Sequence, residues 1–167
     1  MDSTEFAIDP ELMRLAMRQW ASGVTIVSAH HDGERHGMTV SSFTSISLTP
    51  PLVLVSLEWG SRTQAMVEQS RCFGVSILNG RQQEISDRFA GRMTEYIDRF
   101  ADLETFTLQT GSPLLSGGLA AFDCKVVSAY QAGNHTLYIG EVLAAQTETQ
   151  EEQPLLYYNR AYHRLHR

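Results

Sequence analysis

The chain has 167 residues, 43% hydrophobic and 19% charged, without a Gly/Ser or Pro tract, which suits one globular domain over residues 1–167 and excludes a disordered or collagen-like polypeptide. Nineteen acidic against thirteen basic residues give a net charge of −6, and the arginines are scattered from Arg14 to Arg167, so no nucleic-acid partner is expected. The longest apolar stretch, Pro51 to Val55, falls far short of the ~20 residues of a membrane span, and the acidic Met1 to Glu5 does not resemble a secretion signal. A cytoplasmic protein with no membrane partner is expected, with Cys72 and Cys124 as reduced, buried core thiols.

Asp9-Pro10 predicts a helix start, Met13, Met17 and Trp20 recur at helical spacing, and Ser22-Gly23 predicts the stop. That apolar face is expected to meet the core or a second subunit. Val24 to Ala29, the Asp32-Gly33 turn and Gly37 to Ser41 predict a β-hairpin. Pro50-Pro51 breaks the chain ahead of a buried strand at Leu52 to Leu57. A short helix follows with Ser61 as its cap, then a strand at Phe73 to Leu78 and helices at Gln82 to Phe89 and Thr94 to Phe100. Leu119 to Tyr130, the Gly133-Asn134 turn and His135 to Ala145 predict a second hairpin, with Phe122, Cys124 and Val126 on the inner face and Asp123 and Lys125 on a wet one. Gln146 to Gln153, with three glutamates and no aliphatic side chain, reads as a solvated loop before a last short element at Pro154 to Tyr158. Short strands, tight turns and irregularly placed helices favour a mainly antiparallel β-barrel over a doubly wound sheet.

No Gly-x-Gly-x-x-Gly after a strand, Walker loop, Gly-x-Ser-x-Gly elbow or His-Glu-x-x-His is present. His30, His31 and His36 flank a turn tip, and adjacent strand histidines point to opposite faces, which favours a solvated turn over a metal site; none is expected. The unusual stretch is Thr39 to Ser47, with six hydroxyl side chains in nine positions before the Pro-Pro break. It gathers neutral donors that suit a phosphate or a polar ring, although serines and threonines also commonly satisfy turn backbone. Glu58 to Thr63 adds a helix start at which backbone N–H groups, the Ser61 and Thr63 hydroxyls and the Arg62 guanidinium could meet a phosphate; its alternative is an ordinary capped helix with a solvated arginine.

Several ordered stretches are similar to one family. These are Ala21 to Val27, Gly37 to Leu48 running into Pro50 to Val53, Arg88 to Gly91, Pro113 to Leu115, Gly133 to Val142 and Pro154 to Tyr158. The chain resembles the short-chain flavin reductase domain, the reductase component of two-component flavin monooxygenases. The resemblance implies a split antiparallel β-barrel of the FMN-binding, Greek-key type with a few flanking helices. It also implies a homodimer that reduces FMN or FAD with NADH or NADPH and supplies a separate oxygenase component. Carried over by position, Met38, Thr39, Val40, Ser41 and Ser42 would line the flavin ring and ribityl chain, with Ser56 and Leu57 near it. Ser61, Arg62 and Thr63 would hold phosphate and Phe89 would close the outer end. His135, as the catalytic residue, with Tyr157, Arg160 and Tyr162 would lie toward the nicotinamide. Hydride transfer between these cofactors needs no protein nucleophile, in keeping with the missing catalytic signatures. Two positions depart from the family pattern: Asn134 stands where an aspartate is usual, and Ser76 where asparagine is common, which bears on a ring contact and on the setting of His135. Two other readings remain open, a related split-barrel oxidase acting on a small organic substrate and a flavin-binding protein without turnover.

Overall fold

The computed structural model describes residues 8–148 and 152–165. Asp9 caps helix α1 (Pro10–Met17), its carboxylate accepting the Glu11 N–H at 2.9 Å. The helix ends before Trp20, and Ser22–Gly23, expected to stop it, forms the short strand β1. No residue of α1 is buried, which removes the core as the destination of its apolar face.

Strands β2 (Thr25–His31) and β3 (Glu34–Val40) form the first hairpin as expected. Its two turn residues take φ of 50° at Asp32 and 79° at Gly33, the left-handed pair that matches strand twist. The hydroxyl-rich run then supplies a strand of its own, β4 (Thr44–Leu48), which the sequence did not signal because both of its faces are largely exposed. After a cis Thr49–Pro50 peptide, β5 (Pro51–Glu58) alternates exposed and buried side chains. Ser61 caps α2 (Arg62–Ser70), its Oγ accepting the Gln64 N–H at 3.3 Å, and β6 (Cys72–Ile77) and α3 (Gln83–Phe89) follow.

Residues 94–100 are turns and bends, not the expected helix. Side chains hold this segment in place. Arg88 donates to the Ala101 carbonyl at 2.7 Å and stacks over Tyr96, 3.6 Å from its centroid, while Arg99 donates to the carbonyls of Gly37 at 3.0 Å and Phe89 at 2.9 Å. Such tethers replace the i→i−4 ladder that a helix needs.

Short strands β7 (Thr105–Phe106) and β8 (Leu114–Leu115) pair with each other, and the long hairpin of β9 (Ala120–Ala132) and β10 (His135–Thr147) follows. Asp123 is fully buried, contrary to the wet face expected for it. The segment before β8 covers it, with the Thr110 N–H donating at 2.7 Å and the Thr110 hydroxyl bonding the same carboxylate. Gln146 and Thr147 belong to β10, and residues 149–151 of the expected loop lie outside the described residues. Cys124 is buried and Cys72 only partly so; both thiols are free. The chain closes with β11 (Leu156–Tyr158) and β12 (Ala161–His163).

Every ladder is antiparallel. The main sheet runs β3-β2-β6-β9-β10-β5-β4, and β1, β11 and β12 form a smaller one. The main sheet curls around Val27, Val55, Leu57, Phe73, Val75 and Tyr138, all fully buried. Each such apolar side chain contributes about 1.5–3 kcal/mol to stability. A second cluster, Ile26, Leu78, Phe89, Phe100 and Leu155, packs beneath the helices and the small sheet. Curling brings the end of β3 back beside β5, but no ladder joins them. The Ser42 hydroxyl spans that seam, donating to the Ser56 carbonyl and accepting the Ser56 N–H, both at 2.9 Å.

Candidate functional site

The seam carries a groove of about 220 Å³ lined by Met38, Thr39, Val40, Ser41, Ser42, Ser56, Glu58 and His135. Between Val40, the last paired residue of β3, and Thr44, the first of β4, residues 41–43 stand outside both ladders. Their peptide groups are therefore open to a ligand, and Ser41 is exposed with no side-chain hydrogen bond among the described residues. The neighbouring side chains are already engaged. Thr39 donates to the Ser86 carbonyl at 2.6 Å, the Ser42 hydroxyl is held by Ser56, and Val40 is buried. Leu57 is fully buried and is not among the lining residues, while the buried Val40 offers the groove little beyond its backbone. The Met38 side chain beside neutral hydroxyl and peptide groups, with the Glu58 carboxylate and the His135 ring completing the lining, fits a flat heterocycle bearing carbonyls and ring nitrogens.

The α2 start differs from expectation in two side chains. Arg62 pairs with Glu34 at 2.8 Å, and Thr63 is fully buried with its hydroxyl 2.9 Å from His36 Nδ1. An incoming phosphate would thus meet the first N–H groups of α2, Ser61 and a guanidinium that exchanges Glu34 for it. Burial, then the Arg99 and Arg62 guanidiniums, push the His36 pKa down to about 4, so this imidazole stays neutral at pH 7. Phe89 is fully buried, edge-on to Phe100 at 4.8 Å. It packs in the second core cluster and is not among the residues that line the seam groove.

His135 begins β10 opposite Glu58 in the β5 ladder. Its Nδ1 lies 2.9 Å from Asn134 Oδ1. With the amide oxygen facing the ring, Nδ1 donates to it, so Asn134 orients the imidazole without a carboxylate's charge. Ser76 is buried, and its hydroxyl accepts the Leu115 N–H at 3.0 Å.

Tyr157 and Tyr162 pack edge-to-face at 5.4 Å in a second groove of about 190 Å³, shared with Thr39, Ser41, Ser86 and Arg92. The Tyr162 hydroxyl donates to Asp87 at 3.0 Å and lies 2.8 Å from Ser86 Oγ; burial raises its pKa. Arg160 lies apart, in a third groove with Trp20 and Tyr157. The fold thus gathers Met38 to Ser42, Ser56 and His135, joins Tyr157 and Tyr162 to them through Thr39 and Ser41, and sets Arg160 at a distance. Glu58, Ser86 and Arg92 are lining residues the sequence did not single out. Arg92 directly follows the Arg88 to Gly91 stretch, whereas Glu58 is visible only once strand register is known. Among the described residues, no three His, Cys, Asp or Glu side chains gather as a metal site.

An antiparallel barrel left open along one seam, with a polar groove on that seam and a helix start beside it, defines a split barrel. Residues 17–166 match the flavin reductase like domain, and the chain belongs to that family. It is 42% identical over 158 residues to the NADH-dependent flavin reductase StyB of Pseudomonas fluorescens, covering 93% of this chain and 90% of that protein. It is 38% identical over 156 residues to HsaB of Rhodococcus jostii, the reductase subunit of a flavin-dependent monooxygenase, covering 93% and 78%. The solved NADH:FAD oxidoreductase SgcE6 of Streptomyces globisporus, in complex with NAD and FAD fragments, superposes with a TM-score of 0.86 at 28% identity, covering 97% of this chain and 98% of that one.

Proposed function

We propose that this chain, folded as one domain, is an NAD(P)H-dependent flavin reductase that reduces FMN or FAD and passes the reduced flavin to a separate oxygenase component. The observation that carries this reading is the seam groove, where Met38 to Ser42, Ser56 and His135 converge in a chain 42% identical to an NADH-dependent flavin reductase. The bound flavin supplies the chemistry, accepting a hydride from the reduced nicotinamide. The protein binds and orients. Peptide groups at 41–43 and the Ser41 hydroxyl hold the polar edge of the ring, the α2 N–H groups and Arg62 hold the phosphate, and His135, set by Asn134, positions the nicotinamide.

A homodimer is part of the proposal. Leu12, Met13 and Leu15 on α1 are exposed, as are Ile46 and Leu48 on the edge strand β4, an apolar surface that a second copy would cover. No helix among the described residues is long and apolar enough to cross a membrane. A cytoplasmic location is also part of the proposal, in keeping with two free thiols. Following NADH and NADPH absorbance with FMN, FAD or no flavin tests the function: oxidation should require flavin. Flavin binding without turnover in any pairing would leave a carrier protein.

A further inference from the structure

The third groove, about 290 Å³, lies where the end of α1 meets the turn between β11 and β12. Its lining holds three arginines, Arg14, Arg18 and Arg160, beside the aromatic rings of Trp20 and Tyr157, and no carboxylate. For a chain with a net charge of −6 this is a concentrated positive surface. Glu11 is the neighbouring counter-charge, 3.1 Å from Arg14 and 3.9 Å from Arg18. Arg160 makes no ion pair among the described residues, and the buried Nε of Arg18 has no hydrogen-bond partner.

The groove is a built feature. Asn159 and Arg160 take φ of 48° and 62°, the two-residue turn that presents the Arg160 side chain. That turn docks on α1 through the Asn159 N–H to the Arg18 carbonyl at 3.1 Å, and the Tyr158 hydroxyl donates to Gln19 at 3.0 Å. The carbonyls of Arg14, Ala16, Met17 and Arg18 all accept backbone N–H groups, so the helix end offers an anion few free lone pairs. Guanidinium forks beside aromatic faces recognise a phosphate attached to a flat ring. The volume, at the low end of the roughly 300–1,000 Å³ of small-molecule pockets, admits half of a dinucleotide. The groove also connects to the seam: Tyr157 is shared with the second groove, and Trp20 with a depression that reaches Ser41 and Ser42.

We propose that this arginine-aromatic groove binds the adenylate end of a dinucleotide, the adenine, ribose and phosphate common to NAD(P)H and FAD. The inference rests on the reductase reading for the dinucleotide and on the groove alone for the adenylate. Calorimetry with 5′-AMP as the probe, on the wild-type protein and on R160Q and R14Q, tests the groove without turnover. AMP should bind, and each variant should weaken it, R160Q by about tenfold because a charge-assisted contact is lost. No AMP binding, or equal affinity for all three folded proteins, overturns the proposal. Two ratios then assign the source. A rise in the KM of NADH relative to that of reduced nicotinamide mononucleotide in R160Q identifies the nicotinamide dinucleotide. A fall in FAD affinity relative to FMN identifies the flavin. A wild-type protein that binds AMP but reduces no flavin refutes the reductase reading and leaves the groove standing; normal turnover with neither ratio moved refutes the groove.

Discussion

Replacing Arg62 with glutamine keeps a donor at the start of α2 and removes its guanidinium charge. In the structure that guanidinium already bonds Glu34 at 2.8 Å, with 52% of the Arg62 side chain and 66% of the Glu34 side chain exposed. An ion pair so open to water is worth at most about 1 kcal/mol, so a flavin phosphate can displace Glu34 at small cost. The charge-assisted bond it gains, generally about 1.5–3 kcal/mol, falls at the low end because the guanidinium is half solvated. A loss near 1.5 kcal/mol, about tenfold in Kd, is expected for FMN. Riboflavin has no phosphate and should bind both proteins alike. Glu34→Gln should move FMN affinity the other way by a smaller factor, since Arg62 then has no partner to exchange. Flavin fluorescence titrations of the three proteins with both flavins measure this. Equal losses for FMN and riboflavin in Arg62→Gln, or no loss at all, would refute the assignment of Arg62 to the phosphate.

His135→Ala should lower the rate of flavin reduction at limiting NADH by about tenfold while changing the flavin Kd little; a lowered melting temperature with an unchanged stopped-flow rate would make this histidine a packing residue. His36, ordinarily near 6.5 and pushed down to about 4, is protonated more readily in the unfolded chain, so its contribution to stability is present above about pH 6.5 and is lost as pH falls toward about 4. That loss is about 1–3 kcal/mol after allowing for its partial exposure, and urea denaturation across this range should show a shallower decline for His36→Asn. Equal pH slopes for the two proteins would contradict it. A Cβ at Gly140 would stand 2.5 Å from Phe73 Cζ and 3.0 Å from Cys124 Cβ, both in side chains buried by the sheet, so Gly140→Ala should cost about 1–3 kcal/mol, read as a lower urea midpoint.

What the sequence made legible was local. Asp32, Gly33 and Gly133 specify the two hairpins through positive-φ backbone conformations that few residues adopt, and Ser61 marks the start of α2 through a bond three residues away. What it hid depends on partners distant in the chain. β4 is a strand because β5 pairs with it, although its exposed faces show no alternation. Residues 94–100 carry a helix-like composition but are held by Arg88 of α3 and by their own Arg99 reaching the Gly37 carbonyl, and Asp123 is dry because a segment some distance before it in sequence folds over it. The site divides in the same way. Met38 to Ser42 and His135 were found from the hydroxyl run, a turn and the family resemblance. Glu58 opposite His135 required register, and Phe89 and Thr63 turned inward for reasons of packing that no motif encodes.

The central claim is that the seam groove brings flavin and reduced nicotinamide together for hydride transfer. Anaerobic stopped-flow mixing of the flavin-loaded protein with NADH, read as bleaching of the flavin absorbance, tests it most directly. Bleaching should occur within a single turnover, saturate with NADH and be slowed in His135→Ala. Flavin that stays oxidised in the loaded wild-type protein with both NADH and NADPH would contradict it.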